Sequence, residues 1–481
     1  MKSLILKSDS YKFTHNPQYP KGTTKVISYL ESRGGIFDNT VFYGLQFLLK
    51  KHFEGVVVTK KDVDKAKKII DNHIGPNIFN YEGWMRIVNF HGGKIPIKIK
   101  AVPEGTVLKT SNVLMTVENT DEELPWITNF CESILLQLWY PITVSTLSRE
   151  IKKNIIKYLK TTTSYSKEEI QNLCKFTLND FGYRGASSDE SAAIGGSAHI
   201  VNFSGSDNVS AIDLIMTYYN TDEMLAFSIP ASEHSTITSW GEENEVKAFQ
   251  NMLDSYKGIR ACVSDSYNII RACEKYWGEE LRDKILNLDG RLVIRPDSGD
   301  PVQTLKKIFS ILWDKFGGRV NSKGFKVLDD HVRVIQGDGV NYESIKDVLD
   351  MMVEEGFSTE NIVFGMGGAL LQKVDRDTQK FAFKCSAIVV DGELRDVIKR
   401  PIEIDENGEI QQSFKTSKKG PMKLLRKVNG DVEEWETVQE TTDLVDDYMV
   451  KVFENGKILK EWTFEEIRER AEVKFEVDEY A

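Results

Sequence analysis

Between Asp180 and Gly368 the chain alternates short apolar runs with abrupt polar or glycine-rich clusters, and it does so seven times. The seven segments read FTLNDFGYRG, HIVNFSGSD, FSIPASEHS, ACVSDSY, LVIRPDSGD, VRVIQGDG and IVFGMGGA. Runs of this kind are typical of strands that are buried on both faces. Several are followed by a helical pattern before the next run begins, and this repetition predicts a parallel α/β sheet or barrel.

The two ends of the chain have a different pattern. Near the N-terminus, IPIKIKAV places Ile95, Ile97 and Ile99 on one face, as in a half-exposed strand. After about Lys384 the sequence becomes strand-rich, charged and punctuated by glycine. We therefore predict that residues 1–145 and 385–481 are the two parts of one β-rich α+β domain. Residues 146–384 are predicted to form an α/β barrel that carries the catalytic site.

Composition narrows the class of protein. The 481 residues carry a formal net charge of −11, so a surface that binds nucleic acid is not expected. Five scattered cysteines without C-x-x-C spacing predict a reduced protein with no zinc site. No apolar run approaches the ~18 residues of a membrane span, and the N-terminus lacks a signal-peptide pattern. We expect a soluble, cytoplasmic protein with neither membrane nor nucleic-acid partners.

The segment LVIRPDSGD ends a predicted strand with a cation and an anion two residues apart. This spacing points Arg295 and Asp297 to the same side of an extended chain. Arginine can hold a phosphate through two hydrogen bonds, and aspartate can bind Mg²⁺ or ribose hydroxyls. The alternative is a structural ion pair that caps the helix beginning at Pro301.

Glycines close the next two predicted strands. Asp338 lies between two glycines, an arrangement that suits the diol of a ribose, and Gly367 and Gly368 would let the backbone approach a ligand closely. Both segments would also serve as plain turns between strand and helix. The second segment lacks the full G-x-G-x-x-G spacing, so a dinucleotide fold is poorly supported.

Other strand ends carry an aromatic ring, a histidine and further acids. Phe181 could stack on a flat heterocycle, with Arg184 reaching a phosphate or a carbonyl. His234 could act as a base or a phosphoryl acceptor. Asp207 and Asp265 follow strands as well, although either one alone would be read as a helix cap. The succession of seven polar strand ends favours an active site, because barrel enzymes build theirs at this edge.

Together these segments resemble a known family. The blocks DSYKFTHNPQYP, TVFYGLQF, WYPITVST, DFGYRGASS, PASEHSTITSWG, SDSYNI, IRPDSGDP, RVIQGDGV and FGMGGALLQK are similar, in the same order, to those of the nicotinamide phosphoribosyltransferases. These belong to the type II phosphoribosyltransferases. The resemblance implies a type II α/β barrel with a second β-rich domain, working as a homodimer with shared active sites.

The resemblance also implies a reaction. Nicotinamide and phosphoribosyl pyrophosphate would give nicotinamide mononucleotide and pyrophosphate in NAD salvage, with Mg²⁺ as cofactor. ATP would be a co-substrate that phosphorylates His234. The alternatives are a nicotinate phosphoribosyltransferase and a non-catalytic protein that keeps the fold.

By resemblance, residues along the whole chain receive roles. The resemblance implies that the catalytic residues are His234, Asp297, Asp265 and Arg295, and that Asp297 and Asp265 bind the metal. It implies that the residues in contact with substrate are Asp9, Tyr11, Phe181, Arg184, Asp207, Gly337, Asp338, Gly367, Gly368, Arg376, Lys384, Lys399 and Lys415. Asp9 and Tyr11 would come from the partner subunit, which would explain why such side chains stand near a chain end.

Asp207 bears on the choice of base. Its carboxylate can accept a hydrogen bond from the amide of nicotinamide but would repel the carboxylate of nicotinate. The sequence therefore favours nicotinamide as the substrate.

Overall fold

The computed structural model describes residues 3–404, 408, 410–412, 415–429, 432–439 and 446–475. The chain divides into two compact units. The terminal unit comprises Met1–Thr146, Ile215–Thr221 and Asp375–Ala481, and the barrel unit comprises Leu147–Leu214 and Asp222–Val374.

The N-terminal part of the terminal unit contains five strands and the first helices. The strands are β1 Thr23–Ser32, β2 Asn39–Val41, β3 Ile97–Ala101, β4 Val107–Lys109 and β5 Val113–Asn119. The helices are α1 Leu45–His52, α2 Lys60–His73, α3 Tyr81–His91, α4 Ile127–Phe130, α5 Glu132–Leu135 and α6 Trp139–Thr162. In β3, buried isoleucines alternate with half-buried lysines, which confirms the predicted half-exposed strand. Helix α6 begins at Trp139, before Thr146, where the sequence pattern places its start.

The barrel unit is built from a parallel sheet, the helices between its strands, and a short antiparallel pair formed by the strands at Gly318–Val320 and Lys326–Leu328. The strands are β6 Leu178–Asp180, β7 Gly205–Ser206, β8 Gly258–Val263, β9 Gly290–Arg295, β10 Gly318–Val320, β11 Lys326–Leu328, β12 Val332–Gln336 and β13 Ile362–Met366. The helices are α7 Lys167–Cys174, α8 Asp189–Ile200, α9 Val209–Tyr218, α10 His234–Thr238, α11 Glu245–Ser255, α12 Ile269–Arg271, α13 Arg282–Leu286, α14 Pro301–Phe316, α15 Tyr342–Glu354 and α16 Gly368–Leu371, with a π-helix at Ala272–Glu280.

Six of these strands form a parallel sheet in the order β7-β6-β13-β12-β9-β8. The segment from Phe227 to Ala231 joins the two edges, because Phe227 bridges in parallel to Gly205 and Ala231 bridges in parallel to Ala261. The sheet is thereby closed into a barrel. The predicted α/β barrel is confirmed, and all of its strands point the same way, so their carboxyl ends meet at one rim.

One predicted strand is wrong. The run HIVNF does not form a strand, because its first residues end helix α8 and only Gly205 and Ser206 of this segment pair in the sheet. The reason is burial: from Gly195 to Ile200 every residue of α8 is buried. A helix that is apolar on all sides gives the same short apolar run as a buried strand.

The C-terminal part of the chain completes the terminal unit. Its elements are β14 Phe381–Val390, β15 Glu393–Asp396, β16 Ile402–Ile404, β17 Ile410–Gln412, β18 Met422–Asn429, β19 Val432–Gln439, β20 Val450–Glu454, β21 Lys457–Ile458 and α17 Phe464–Ala471. Strands from both chain ends pair antiparallel in one seven-stranded sheet, in the order β15-β14-β1-β5-β3-β20-β21. Residue 384, where the sequence suggests a domain boundary, lies inside β14. The boundary between the two units therefore precedes this strand.

Two further observations concern the cysteines and the helices. None of the five cysteines, all of which are among the described residues, forms a disulfide, and four of them are buried. Within the described residues no helix has the length and apolar character needed to span a membrane.

Candidate active site

A histidine and two aspartates meet at the rim of the barrel. His234 is the first residue of α10, and its Nε2 lies 3.0 Å from Asp265 Oδ1, just beyond the end of β8. Its Nδ1 lies 3.9 Å from Asp297 Oδ2, two residues past β9. The imidazole is 44% exposed, whereas the Asp265 side chain is only 3% exposed. A buried carboxylate thus orients a ring that solvent and ligands can reach.

Asp265 is held from several sides. Its Oδ1 faces His234, and its Oδ2 accepts hydrogen bonds from the Asp297 backbone N–H at 2.9 Å and the Ser298 hydroxyl at 2.5 Å. Both oxygens are therefore engaged by protein groups. This carboxylate connects the ends of β8 and β9 and fixes the loop that carries Asp297.

Arg295 and Asp297 lie side by side, as their spacing predicts. Arg295 Nη2 is 3.5 Å from Asp297 Oδ2, and the Arg295 Nε is buried without a hydrogen-bond partner. Buried donors are nearly always paired in folded proteins, by protein, water or ligand. The guanidinium at this rim therefore has unused capacity for an anion.

The Phe181 ring lies inside the same rim. It packs on Ala261, Val293 and Ile335 of three neighbouring strands. A side chain added at Gly337 would have its Cβ 3.4 Å from Asp297 Oδ1, 3.7 Å from Phe181 Cε2 and 3.8 Å from Arg295 Cδ. The absence of a side chain at Gly337 thus leaves a space that faces an aromatic ring, an acid and the stem of the Arg295 side chain at once.

The remaining predicted residues of the barrel unit lie on its rim loops. Asp207 and Arg184 are exposed, and Asp207 accepts a hydrogen bond from the Ser228 hydroxyl. The Asp338 carbonyl is held by the Gln336 amide at 2.7 Å, and the Asp338 side chain is exposed. Gly367 and Gly368 begin α16, and a Cβ at Gly185 would lie 3.4 Å from the Gly368 nitrogen. The turn that carries Arg184 therefore lies next to the turn that carries Gly367 and Gly368.

A second cluster lies in the terminal unit. It is a cavity of about 510 Å³, the cationic cavity, lined by Arg33, Arg376, Lys380, Lys384, Lys399 and Lys415 and by the acids Glu132 and Asp377. Burial lowers the pKa of the Lys384 ammonium; the nearby Arg33, Lys399 and Arg376 lower it further, against an opposing effect of Glu132. Several cations that line one cavity in this way are suited to receive an anion.

Arg33 is part of this cavity although no motif in the sequence marks it. Its Nε donates to Glu31 at 2.8 Å and its Nη1 to the Lys415 carbonyl at 3.3 Å, while Nη2 is buried without a partner. A hydrogen bond from a side chain to a carbonyl 382 positions away cannot be predicted from local spacing. The only signal in the sequence is an arginine at the end of a buried strand.

The predicted N-terminal residues line a smaller cavity of about 220 Å³ in the same unit. Asp9 and Tyr11 face it, and it shares Glu132, Leu136 and Arg376 with the cationic cavity. Tyr11 is 57% exposed, which is unusual for a large aromatic side chain. Lys12 beneath it is buried against Glu132 at 2.5 Å and anchors the segment. The segment around Lys12 is thus docked, and the Tyr11 ring is exposed.

No group of three or more His, Cys, Asp or Glu in the described part of the chain is arranged to hold a metal ion. Mg²⁺ needs less than that, because it is commonly bound by one or two carboxylates plus water and substrate phosphates. Asp297 fits such a role, since its Oδ1 faces the space beside Gly337. Asp265 fits it less well, because both of its oxygens are already engaged.

Comparison with known proteins agrees with this geometry. Residues 176–456 match the model of the nicotinate phosphoribosyltransferase family, and residues 3–99 match the N-terminal domain of nicotinamide phosphoribosyltransferase. The chain is 47% identical to a nicotinamide phosphoribosyltransferase of Xanthomonas campestris, over 98% of both chains. It is 31% identical to one of Acinetobacter baylyi, over 96% of this chain and 95% of that protein.

The fold has a counterpart among solved structures. The nicotinate-nucleotide pyrophosphorylase of Pyrococcus furiosus superimposes with a TM-score of 0.59, at 15% sequence identity, over 97% of this chain and 94% of that chain. At this level of identity the likeness concerns the fold. It agrees with a parallel barrel accompanied by a β-rich unit.

Proposed function

The chain belongs to the nicotinate phosphoribosyltransferase family, and from this membership we propose that it transfers the phosphoribosyl group of phosphoribosyl pyrophosphate to nicotinamide. The observation that carries the proposal is the convergence of Phe181, Arg295 and Asp297 around the space at Gly337, beside the His234–Asp265 pair. An aromatic face, a guanidinium and an acid at one point suit a flat base, a phosphate and a ribose.

The reaction breaks the bond between ribose C1 and the pyrophosphate oxygen and forms a bond from C1 to the ring nitrogen of the base. Positive charge develops on the sugar and negative charge on the leaving group. The Phe181 ring would hold the base in line, which contributes by orientation. Arg184 and Arg295 would contact the ring amide or phosphate, and Gly337 with Asp338 would hold the ribose hydroxyls. Gly367 and Gly368 would bind the 5′-phosphate.

The leaving pyrophosphate requires cations. In the barrel unit, Arg295 offers a buried guanidinium with an unpaired Nε. In the terminal unit, Lys384, Lys399 and Lys415 line the cationic cavity, which by itself would suit phosphate groups. We propose that Asp297 holds Mg²⁺ together with pyrophosphate oxygens, where the metal would neutralise charge on the leaving group. Asp265 serves the site by orienting His234, since its oxygens are occupied.

His234 suits the role of a phosphoryl acceptor that couples ATP to the reaction. One ring nitrogen is held by the buried Asp265, and the other lies toward Asp297 in an exposed position. A carboxylate on one nitrogen keeps the other available as a nucleophile. ATP would be the donor, and the pyrophosphate site would lie close to the phosphorylated ring.

Asp207 selects the base. Its exposed carboxylate, fixed by the Ser228 hydroxyl, would accept the amide N–H of nicotinamide and repel nicotinate. We further propose a homodimer in which Asp9 and Tyr11 of one copy complete the site of the other. The outward-facing Tyr11 ring on a docked N-terminal segment supports this arrangement.

Purified protein incubated with Mg²⁺, phosphoribosyl pyrophosphate and either nicotinamide or nicotinate tests the proposal. We expect nicotinamide mononucleotide as the main product, formed faster when ATP is present. Turnover of nicotinate in preference to nicotinamide would favour the alternative, a nicotinate phosphoribosyltransferase. Turnover of neither base would refute both.

A further inference from the structure

The side chain of Asp180, at the end of β6, is completely buried between two loops of the barrel rim. Its Oδ1 accepts the Gly182 backbone N–H at 2.7 Å, inside the turn that carries Phe181 and Arg184. Its Oδ2 accepts the Asn208 amide at 3.0 Å, directly after Asp207. One carboxylate therefore holds the loop with the aromatic ring and the loop with the exposed acid.

The Asn208 amide has only one orientation that satisfies its surroundings. Its Nδ2 donates to the Ala192 carbonyl at 2.9 Å as well as to Asp180, and its Oδ1 accepts the Ala211 N–H at 3.2 Å. Reversing the amide would place an oxygen against the Ala192 carbonyl and a donor against the Ala211 N–H. Asn208 therefore requires an acceptor at Asp180 Oδ2.

This contact is tightly packed on the side of Gly196. A Cβ built on Gly196 would lie 2.4 Å from Asn208 Nδ2 and 2.8 Å from Asp180 Oδ2. Gly196 thus covers the hydrogen bond directly with backbone. The backbone adds one more link, since the Asp207 N–H donates to the Asp180 carbonyl at 3.0 Å.

We propose that Asp180 is a positioning residue which, through Gly182 and Asn208, sets the distance between the Phe181 ring and the Asp207 carboxylate and so determines how tightly the base is held. The inference rests on the proposed function, because it concerns the base that those two side chains would contact. It assigns no contact with substrate to Asp180 itself.

The ionisation of Asp180 agrees with this role. Burial raises the pKa of its carboxyl to about 6, opposed by the hydrogen bonds from Gly182 and Asn208. At neutral pH the carboxylate form predominates and both of its oxygens can accept. A protonated or an amide side chain would instead point a hydrogen at either the Gly182 N–H or the Asn208 amide, and that hydrogen bond would be lost.

Asp180→Asn tests the proposal, because the amide has the same shape but must oppose either the Gly182 N–H or the Asn208 amide. Losing a buried hydrogen bond to a charged group is expected to raise the KM for nicotinamide about tenfold or more. The KM for phosphoribosyl pyrophosphate should stay within about twofold, because most of its proposed contacts follow β9, β12 and β13 rather than β6.

The double variant D180N/N208D is the matched rescue, because it exchanges the donor and the acceptor of one hydrogen bond. The amide introduced at position 180 could donate to the carboxylate introduced at position 208. That carboxylate would still accept the Ala211 N–H, although it would also face the Ala192 carbonyl. We expect the double variant to recover part of the lost nicotinamide affinity. A purely structural role would instead change the melting temperature and both KM values together, and that result would overturn the proposal.

Wild-type protein measured in parallel separates this inference from the proposed function. If the wild type does not use nicotinamide, the proposed function fails; if it does and Asp180→Asn leaves its KM unchanged, only the inference fails. Should Asp180→Asn not fold, Asn208→Ala removes the same contact from the other side and should raise the nicotinamide KM selectively. If neither variant folds, the pair serves the fold rather than the base, and the inference is wrong.

Discussion

Replacing Gly365 by alanine should move the Phe181 ring without changing any group proposed to touch substrate. Gly365 lies in β13, and a Cβ at this position would be 2.0 Å from Phe181 Cε2 and 2.1 Å from Cδ2. An ordinary contact begins near 3.4 Å, so the ring must retreat by about 1.4 Å. It cannot retreat into the barrel, because Ala261, Val293 and Ile335 fill that side.

The expected size of the effect has two parts. Overpacking of a buried contact costs about 1–3 kcal/mol of the free energy of unfolding. A displaced ring also loses its stacking on the base, which is typically about 0.5–1.5 kcal/mol. We therefore expect the KM for nicotinamide to rise roughly threefold to tenfold at saturating phosphoribosyl pyrophosphate. The KM for phosphoribosyl pyrophosphate should change little.

Gly278→Ala is a matched control for overpacking alone. Gly278 lies within the π-helix, and a Cβ there would lie 2.7 Å from the Cys273 carbonyl and from Lys315 Cγ. It should lower the stability comparably and leave both KM values unchanged. If Gly365→Ala destabilises the protein but leaves the nicotinamide KM at the wild-type value, then Phe181 does not hold the base and this reasoning is wrong.

Three further predictions concern charge. Asp207→Asn should raise the ratio of kcat/KM for nicotinate over nicotinamide by about tenfold or more, because it removes a negative charge that would repel the carboxylate of nicotinate. An unchanged ratio in competition assays would contradict the role of Asp207. His234→Ala should abolish stimulation by ATP while leaving weak transfer, and full stimulation in the variant would rule out a phosphohistidine at this position. Burial raises the pKa of Glu104 from 4.5 to about 7. The folded state therefore keeps a proton that the unfolded state loses, and the free energy of unfolding should fall by roughly 3 kcal/mol as pH rises from 4.5 to 7. Urea denaturation at several pH values should show a shallower fall for Glu104→Gln, and parallel curves for the two proteins would contradict the assignment.

Much of the site at the barrel rim can be predicted from sequence, because the spacing of residues along the chain decides which of them follow the end of a strand. Where a buried strand ends in a parallel barrel, the next residues reach the rim, so the positions of Asp265, Arg295 and Gly337 along the chain suffice to place them together. The same rule fails for HIVNF, whose apolar run belongs to a buried helix. Apolar runs identify burial, and length alone separates strand from helix poorly.

Contacts across the core are beyond sequence reasoning. The glycine-rich pattern around Gly365 favours a ligand turn, whereas its lack of a side chain makes room for Phe181. Asp180 stands in the sequence as the first residue of DFGYRG, and nothing local shows that it binds Asn208. A glycine inside a strand does signal the close approach of another group, but it does not say which group approaches.

The cationic cavity has to be rigid before an anion arrives, and its construction supplies that rigidity. Strand β1 carries Tyr29 and Glu31, which bind the loop after Lys415: the Lys418 N–H donates to the Tyr29 hydroxyl at 2.8 Å, and the Lys418 ammonium pairs with Glu31. The same strand pairs along β14, which carries Lys384. Burial is the main cause of the lowered pKa of Lys384, and repulsion from Arg33, Lys399 and Arg376 lowers it further against the attraction of Glu132. The fold therefore holds several like charges together in the free protein. An anion that enters relieves this repulsion without any reorganisation of the cations, which is the condition under which fixed charges stabilise a leaving group most effectively.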